Sequence, residues 1–334
     1  MKKIIDAVET IVDQALDGMV VAYPEYLQRV EGTLVLARSK PKETGKVGLV
    51  SGGGSGHEPA HGGYVGYGML DAAVAGEVFT SPTPDQVYAG IKAADRGAGV
   101  LLVVKNYTGD VMNFDIAREL ADADGIATEV VLVNDDVAVQ DSLYTTGRRG
   151  IAGTVFVHKI AGAAAEEGAD LSSVKVIADT VVANLASMGC ALTSCTVPAN
   201  GKPTFELGAN EMEMGIGIHG EPGIERVPMM SASELTASLY HRLVAELSLG
   251  DGERIAAMVN SMGATPAIEL AIMSGHLANL TKSSKLSLEK VLMGEFMTSL
   301  EMAGASLTLL RLDQQRSTLL NAACDTPALK VVKH

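Results

Sequence analysis

GVLLVVKNYTGDVMNF, residues 99–114, is the stretch that decides the fold. Its aliphatic run is short, rich in valine and leucine, and bounded by Gly99 on one side and Lys105 on the other. Such a run predicts a strand buried on both faces. Polar residues follow, and from Asp110 the apolar spacing becomes helical to about residue 123. Three other runs share the strand character: KVGLVSGG (46–53), DAAVAGEV (71–78) and TEVVLVND (128–135). With a further helical stretch at 84–96, the alternation predicts βαβ units and a largely parallel sheet. Ligands of such sheets gather beyond the carboxyl ends of the strands. Those ends carry SGGGSGHEP, FTSPTP, KNYTGD and NDD, which places the polar residues on one rim.

Working outward, apolar residues Ile5, Val8, Val12, Leu16 and Met19 recur at helical spacing and predict an amphipathic N-terminal helix. Asp6, Glu9 and Asp13 interrupt the same stretch, so it is not the apolar core of a signal peptide. Residues 153–188 read as two helices that turn at GAAAEEGAD. Beyond them the style changes. CALTSCTVP (190–198), EMEMGIGIH (211–219), GERIAAMVNSMG (252–263), EKVLMGEF (289–296) and ASLTLLRLD (305–313) predict strands, with helices near 232–248 and 266–281. The expectation is an α/β protein of two α/β domains, 1–187 and 188–334, the first built on the largely parallel sheet.

Composition narrows the function. The 334 residues carry a formal net charge of −14, which opposes a nucleic-acid partner because phosphate backbones need a basic field. No apolar run reaches the length of a membrane span, so no membrane association is expected, and the cytoplasm is the expected location. Cys190, Cys195 and Cys324 form no CxxC and no metal spacing.

Two familiar patterns occur literally. HEPAH (57–61) matches HExxH, whose zinc chemistry requires both histidines on one helix. Five residues, GGGSG, precede it and Pro59 sits at its centre, so that geometry is not expected. Gly215, Gly217 and Gly220 match GxGxxG, yet EPG follows where a dinucleotide site needs a helix start. No Walker pattern occurs. No metal or nucleotide cofactor is therefore expected on this chain. The run SGGGSGHEP reads as a glycine turn between a strand end and a helix start, with backbone N–H groups exposed to hydroxyl or phosphoryl oxygens. Asp110 reads either as a helix N-cap or as a carboxylate that takes a proton from a substrate hydroxyl. Lys105 reads either as a surface lysine or as a donor to a substrate oxygen. His219, in MGIGIHGEPG (214–223), is an imidazole whose backbone surroundings are kept bare by glycine.

Taken together, GLVSGGGSGHEPAHGGYVGYGML, GEVFTSPTPDQVY, VLLVVKNYTGDVMNF, VNDDVAV, SLYTTGRRGIAGT and EMEMGIGIHGEPG closely resemble the substrate-binding (K) subunit family of dihydroxyacetone kinases. The resemblance continues through MVNSMGATPAIEL and TSLEMAGASLTLL near the end. It implies that His219 is a nucleophile forming a covalent hemiaminal with the ketone of dihydroxyacetone. It implies that Gly54, Ser55, Gly56 and His57 line the substrate, that Lys105 and Asp110 bind its hydroxyls, and that His57 and Asp110 activate the terminal hydroxyl. The division of the base role between those two stays open. The resemblance further implies a homodimer whose first domain is like the mannose-type phosphotransferase-system A domain. Nucleotide and magnesium are expected on an L-type partner subunit, with ATP or a phosphotransferase relay from phosphoenolpyruvate as the ultimate donor. A four-carbon ketose is an alternative ligand. Some paralogues are ketone-sensing transcriptional co-activators, which is the alternative function.

Overall fold

The computed structural model describes residues 2–140 and 146–332. Two six-stranded sheets dominate it. The first contains β1 (Leu27–Arg29), β2 (Val35–Arg38), β3 (Gly48–Ser55), β4 (Ala72–Val78), β5 (Val100–Lys105) and β6 (Thr128–Val133), in the order β1-β2-β4-β3-β5-β6. Its β4–β3, β3–β5 and β5–β6 pairs are parallel, and β1 and β2 add an antiparallel edge. Helices α1 (Ile11–Ala22), α2 (Pro84–Ala94), α3 (Thr108–Ala123), α4 (Thr154–Glu166) and α5 (Leu171–Val182) accompany it. The second sheet contains β7 (Leu185–Ala191), β8 (Glu211–Met214), β9 (Glu225–Pro228), β10 (Arg254–Ser261), β11 (Ser287–Gly294) and β12 (Gly304–Leu312). Its order is β11-β10-β12-β7-β8-β9, and only β10–β11 is parallel. With it come α6 (Ala232–Glu246), α7 (Ala267–Ser283) and α8 (Gln314–Asn321).

The layers follow from which residues are apolar on which face. Val50, Val74 and Leu102 of the first sheet pack under Val87 and Ile91 of α2 and Phe114 and Ala117 of α3. The opposite face, with Leu49, Leu101 and Val103, packs on α4 and α5. The same apolar cluster continues into Ala256, Met258 and Leu310 of the second sheet. That sheet's far face is covered by α6 and α7 through Leu239, Leu243, Met273 and Leu277. All thirteen residues of α4 are buried, as its apolar all-round sequence TVFVHKIAGAAAE requires. The polar members each find a partner: Lys159 donates to the Leu319 carbonyl at 2.7 Å, and Glu166 pairs with Arg38 at 2.9 Å.

Local expectations hold with instructive exceptions. The N-terminal α-helix begins at Ile11, so Ile5 lies outside it and Val8 opens a single 3₁₀ turn. Gly52, Gly53 and Gly54 of SGGGSG belong to β3 itself, Gly56 follows its end, and no α-helix comes next; residues 57–61 form bends and turns, so HEPAH has no helical geometry. CALTSCTVP is strand only to Ala191, the strand having begun at Leu185. The expected division at 187/188 therefore falls within β7. EMEMGIGIH is strand only through Met214, because Gly215 at φ +74° turns the chain. Among the described residues, no helix is long and apolar enough to cross a membrane.

Candidate functional site

The carboxyl ends of β3 and β5, the first turn of α3 and the turn after β8 converge on one cleft. It encloses about 1330 Å³ and is lined by Gly54, Phe79, Tyr107, Asp110, His219 and Glu221 among others. His219 reaches it because β8 stops at Met214 and the chain folds back, with Gly217 N–H donating to the Glu221 carbonyl at 3.1 Å. Gly217 leaves room for two charged side chains, which any Cβ would displace. A Cβ there would stand 2.0 Å from Glu221 Oε2 and 2.6 Å from Arg149 Nη1.

The imidazole of His219 is held on three sides by rings edge-on to it. His57 lies at 4.7 Å, Tyr107 at 4.8 Å and Phe79 at 5.1 Å between centroids. Its Nδ1 lies 2.8 Å from Glu221 Oε1, and its backbone N–H donates to the other oxygen of the same carboxylate. Burial acts to raise the Glu221 carboxyl, but the His219 imidazole and the Arg149 guanidinium outweigh it and hold the group at about 2. An anion at Glu221 makes Nδ1 the protonated nitrogen of a neutral His219 ring, and Nε2 keeps its lone pair. An imidazole so oriented can attack an electrophilic carbon.

Beneath His219, His57 is fully buried, stacked on Phe79 at 5.0 Å, with Nδ1 2.7 Å from the Thr298 carbonyl. A carbonyl can only accept, so Nδ1 carries the proton and Nε2 is again the acceptor. Burial, then the positive field of Lys105, hold the His57 imidazole well below its ordinary range, so it is neutral. Lys105 lies at the end of β5, buried rather than on the surface. Burial lowers its ammonium, with Asp110, Glu221 and Asp135 acting in the opposite direction. Asp110 is the third residue of α3, inside the helix rather than at its N-cap, which is Tyr107. Burial raises its carboxyl despite Lys105 and a hydrogen bond from Ser81. A basic carboxylate in a dry site is suited to accept a proton.

Four buried polar atoms around this point have no hydrogen-bond partner among the described residues: His57 Nε2, Lys105 Nζ, Tyr107 Oη and Asp110 Oδ1. Leaving each unpaired costs about 1–3 kcal/mol, so their concentration makes this cleft the candidate site for a small polar ligand. The remaining expected contacts divide. Gly54 lines the cleft, whereas Ser55 Oγ donates to the Gly76 carbonyl at 2.7 Å. Gly56, at φ +102°, directs its N–H to Glu58 at 3.1 Å. His61, the second histidine of HEPAH, turns away to His158 at 3.0 Å.

The Dak1 domain profile matches residues 17–328, and sequence comparison agrees. The chain is 56% identical over 316 residues to the PTS-dependent dihydroxyacetone kinase 1, dihydroxyacetone-binding subunit DhaK, of Listeria innocua, covering 95% of this chain and 96% of that protein. This chain belongs to the Dak1 family. It is also 43% identical to the PEP-dependent dihydroxyacetone kinase subunit DhaK of Escherichia coli, covering 98% and 99% of the two chains. Among solved structures, the dihydroxyacetone kinase from C. freundii in complex with AMP-PNP and Mg2+ superposes with a TM-score of 0.91 at 36% identity. That match covers 99% of this chain and 61% of the kinase chain, so the Dak1 chain spans about three fifths of it. The dihydroxyacetone kinase operon co-activator Dha-DhaQ matches with a TM-score of 0.90 at 33% identity, covering 96% and 98%.

Three neighbours of His219 escape sequence reasoning. Glu221 is one, although a carboxylate two residues after a histidine was a readable signal. Tyr107 and Phe79 are the others; nothing in FTSPTP or KNYTGD announces that their rings meet His219. Residues 142–145 of the motif SLYTTGRRGIAGT lie outside the described residues.

Proposed function

We propose that this Dak1 chain is the dihydroxyacetone-binding subunit of a dihydroxyacetone kinase, and that it holds the ketone as a hemiaminal on His219. The observation that carries the reading is the His219–Glu221 pair at 2.8 Å, which leaves Nε2 as the lone-pair nitrogen beside four unpartnered polar atoms. The Nε2 lone pair forms the bond to the carbonyl carbon. The π pair moves to oxygen, which takes a proton from solvent, and the imidazolium keeps its Nδ1 proton toward Glu221. A polyol of the same size has no carbonyl and loses that bond entirely, so the chemistry itself selects ketones.

With the ketone fixed, Lys105 donates to a substrate oxygen and Asp110, assisted by His57 Nε2, receives the proton of the terminal hydroxyl. The hydroxyl oxygen then takes the phosphoryl group from a donor that releases it. A separate nucleotide-carrying L-type subunit supplies that group with its magnesium, fed by ATP or by a phosphoenolpyruvate relay; transfer of this kind is mostly positioning and charge neutralisation, so the donor can arrive from another chain. The names of the relatives support the kinase reading. The Dha-DhaQ likeness supports a second one, a ketone sensor that binds but does not turn over, and Asp110 is the residue such a sensor would not need.

The test is 13C NMR with [2-13C]dihydroxyacetone. The C2 signal moves from the ketone to the tetrahedral region on adding wild-type protein and stays at the ketone with His219→Ala. An adduct retained by His219→Ala refutes the assignment. A normal adduct with no phosphorylation by any L-type partner shifts the reading to the sensor.

A further inference from the structure

Among the described residues Arg149 is the largest side chain buried without residual exposure, and the mechanism above leaves it unused. Its guanidinium makes a specific set of contacts. Nε donates to Asp136 at 2.8 Å, and Nη2 donates to the Gly215 carbonyl at 2.8 Å while also reaching Asp136 at 2.7 Å. Its own carbonyl accepts from Asp136 N–H at 3.0 Å. Asp136 needs no further cation, since its other oxygen accepts from Ala138 N–H at 2.9 Å. Nη1 has no hydrogen-bond partner among the described residues. It faces Glu221 across the bare Cα of Gly217, where an added Cβ would touch both groups. Arg149 thus grips the start of the 215–221 turn at one end and faces its carboxylate at the other.

We propose that Arg149 is a positioning residue for ketone capture: by pinning Gly215 and facing Glu221, it fixes the carboxylate that keeps the His219 proton on Nδ1 and presents Nε2 to the cleft. The inference rests on the hemiaminal reading for its function but not for its geometry, and a lysine cannot replace the fork. An ammonium is a point charge and cannot serve Asp136, Gly215 and the Glu221 side together.

The experiment uses full-length protein labelled with 15N-histidine, the His219 signals being identified by their loss in His219→Gln. In wild type, Nδ1 reads as protonated and Nε2 as bare. Arg149→Lys is expected to move His219 toward the other tautomer and to weaken the [2-13C]dihydroxyacetone adduct at least tenfold. The double variant Arg149→Met/Asp136→Asn, which removes both members of the Arg149–Asp136 ion pair together, should do the same. Arg38→Lys is the control for a buried ion pair elsewhere, since Arg38 pairs with Asp71 and Glu166, and it should leave tautomer and adduct unchanged. A folded Arg149 variant with the wild-type tautomer and adduct overturns the proposal. So does unfolding of both variants while Arg38→Lys folds, because Arg149 would then serve the fold alone. If wild type forms no adduct yet the tautomer responds as expected, the hemiaminal reading fails and the Arg149 assignment stands.

Discussion

Replacing Glu221 by Gln keeps the side chain's shape and an oxygen able to accept from His219 Nδ1, removes the negative charge, and sets an amide NH2, which cannot accept, opposite the His219 backbone N–H. The carboxyl stands at about 2 instead of the ordinary 4.5. At about 1.36 kcal/mol per pKa unit, the surroundings favour the anion by about 3 kcal/mol. Part of that comes from the Arg149 guanidinium and from backbone hydrogen bonding, neither of which changes on adduct formation. The His219 share becomes decisive when the ring turns cationic on bonding to the ketone. Assigning it about half to nearly all of the total gives a loss of about 1.4–2.8 kcal/mol, or tenfold to a hundredfold in the adduct equilibrium constant. Titration of Glu221→Gln with [2-13C]dihydroxyacetone, followed by the tetrahedral C2 signal, measures it directly. An adduct as tight as wild type would refute the reasoning, because the carboxylate would then be a mere turn constraint. The same linkage has a sign in stability. A depressed carboxyl stabilises the fold above its unfolded value and loses that contribution as pH falls from about 4.5 towards 2.

Asp110→Asn should still trap the ketone on His219, while turnover with an L-type partner falls about 10²-fold, the scale of a positioned base; unchanged turnover in a coupled assay for the phosphorylated product would leave Asp110 a hydrogen-bonding group only. The isolated chain with ATP, magnesium and dihydroxyacetone should form no phosphorylated product, and robust turnover by it alone would contradict the divided kinase. Buried His158 is held at about 3, first by burial and then by Lys105, so the unfolded chain takes up a proton between pH 6.5 and 3 that the folded one does not. Stability therefore falls with acidity in that window, and His158→Leu should reduce the slope by about 1.4 kcal/mol per pH unit between pH 6 and 4. Urea unfolding across that range checks this; an unaltered slope would mean that His158 is protonated in the fold.

The runs that became β3, β4 and β5 were legible because an interior strand of a parallel sheet is apolar on both faces, and the edge strand β6 by its aliphatic VVLV alone, since Glu129 and Leu132 are exposed. β1 and β2 were not, being three and four residues long with no periodicity to read. The glycines of SGGGSG misled for a physical reason. Glycine normally weakens a strand, but at Gly54 a Cβ would stand 2.6 Å from Thr80 N, so close passage of the chain after β4 requires its absence. At the site, His219, Asp110 and Lys105 were readable as reactive groups at strand ends. Their burial, the ring cage and the Arg149–Glu221 arrangement were not, because they depend on side chains from both sheets meeting in space.

Helix α4 has no solvent face, since one sheet's core meets it and passes on into the other's. It is a shared wall. Separating the halves would strip α8 from α4 and break the bond from Lys159 to the Leu319 carbonyl, while His158–His61 and Glu166–Arg38 stay within the first half. The molecule should therefore melt as one cooperative unit, with a single calorimetric transition whose enthalpy matches the van't Hoff value. Neither half expressed alone should hold a structure. Such a wall opposes closing the cleft by a swing of one half over the other. Whatever gating the site has belongs to the loops at its mouth and to whatever docks there.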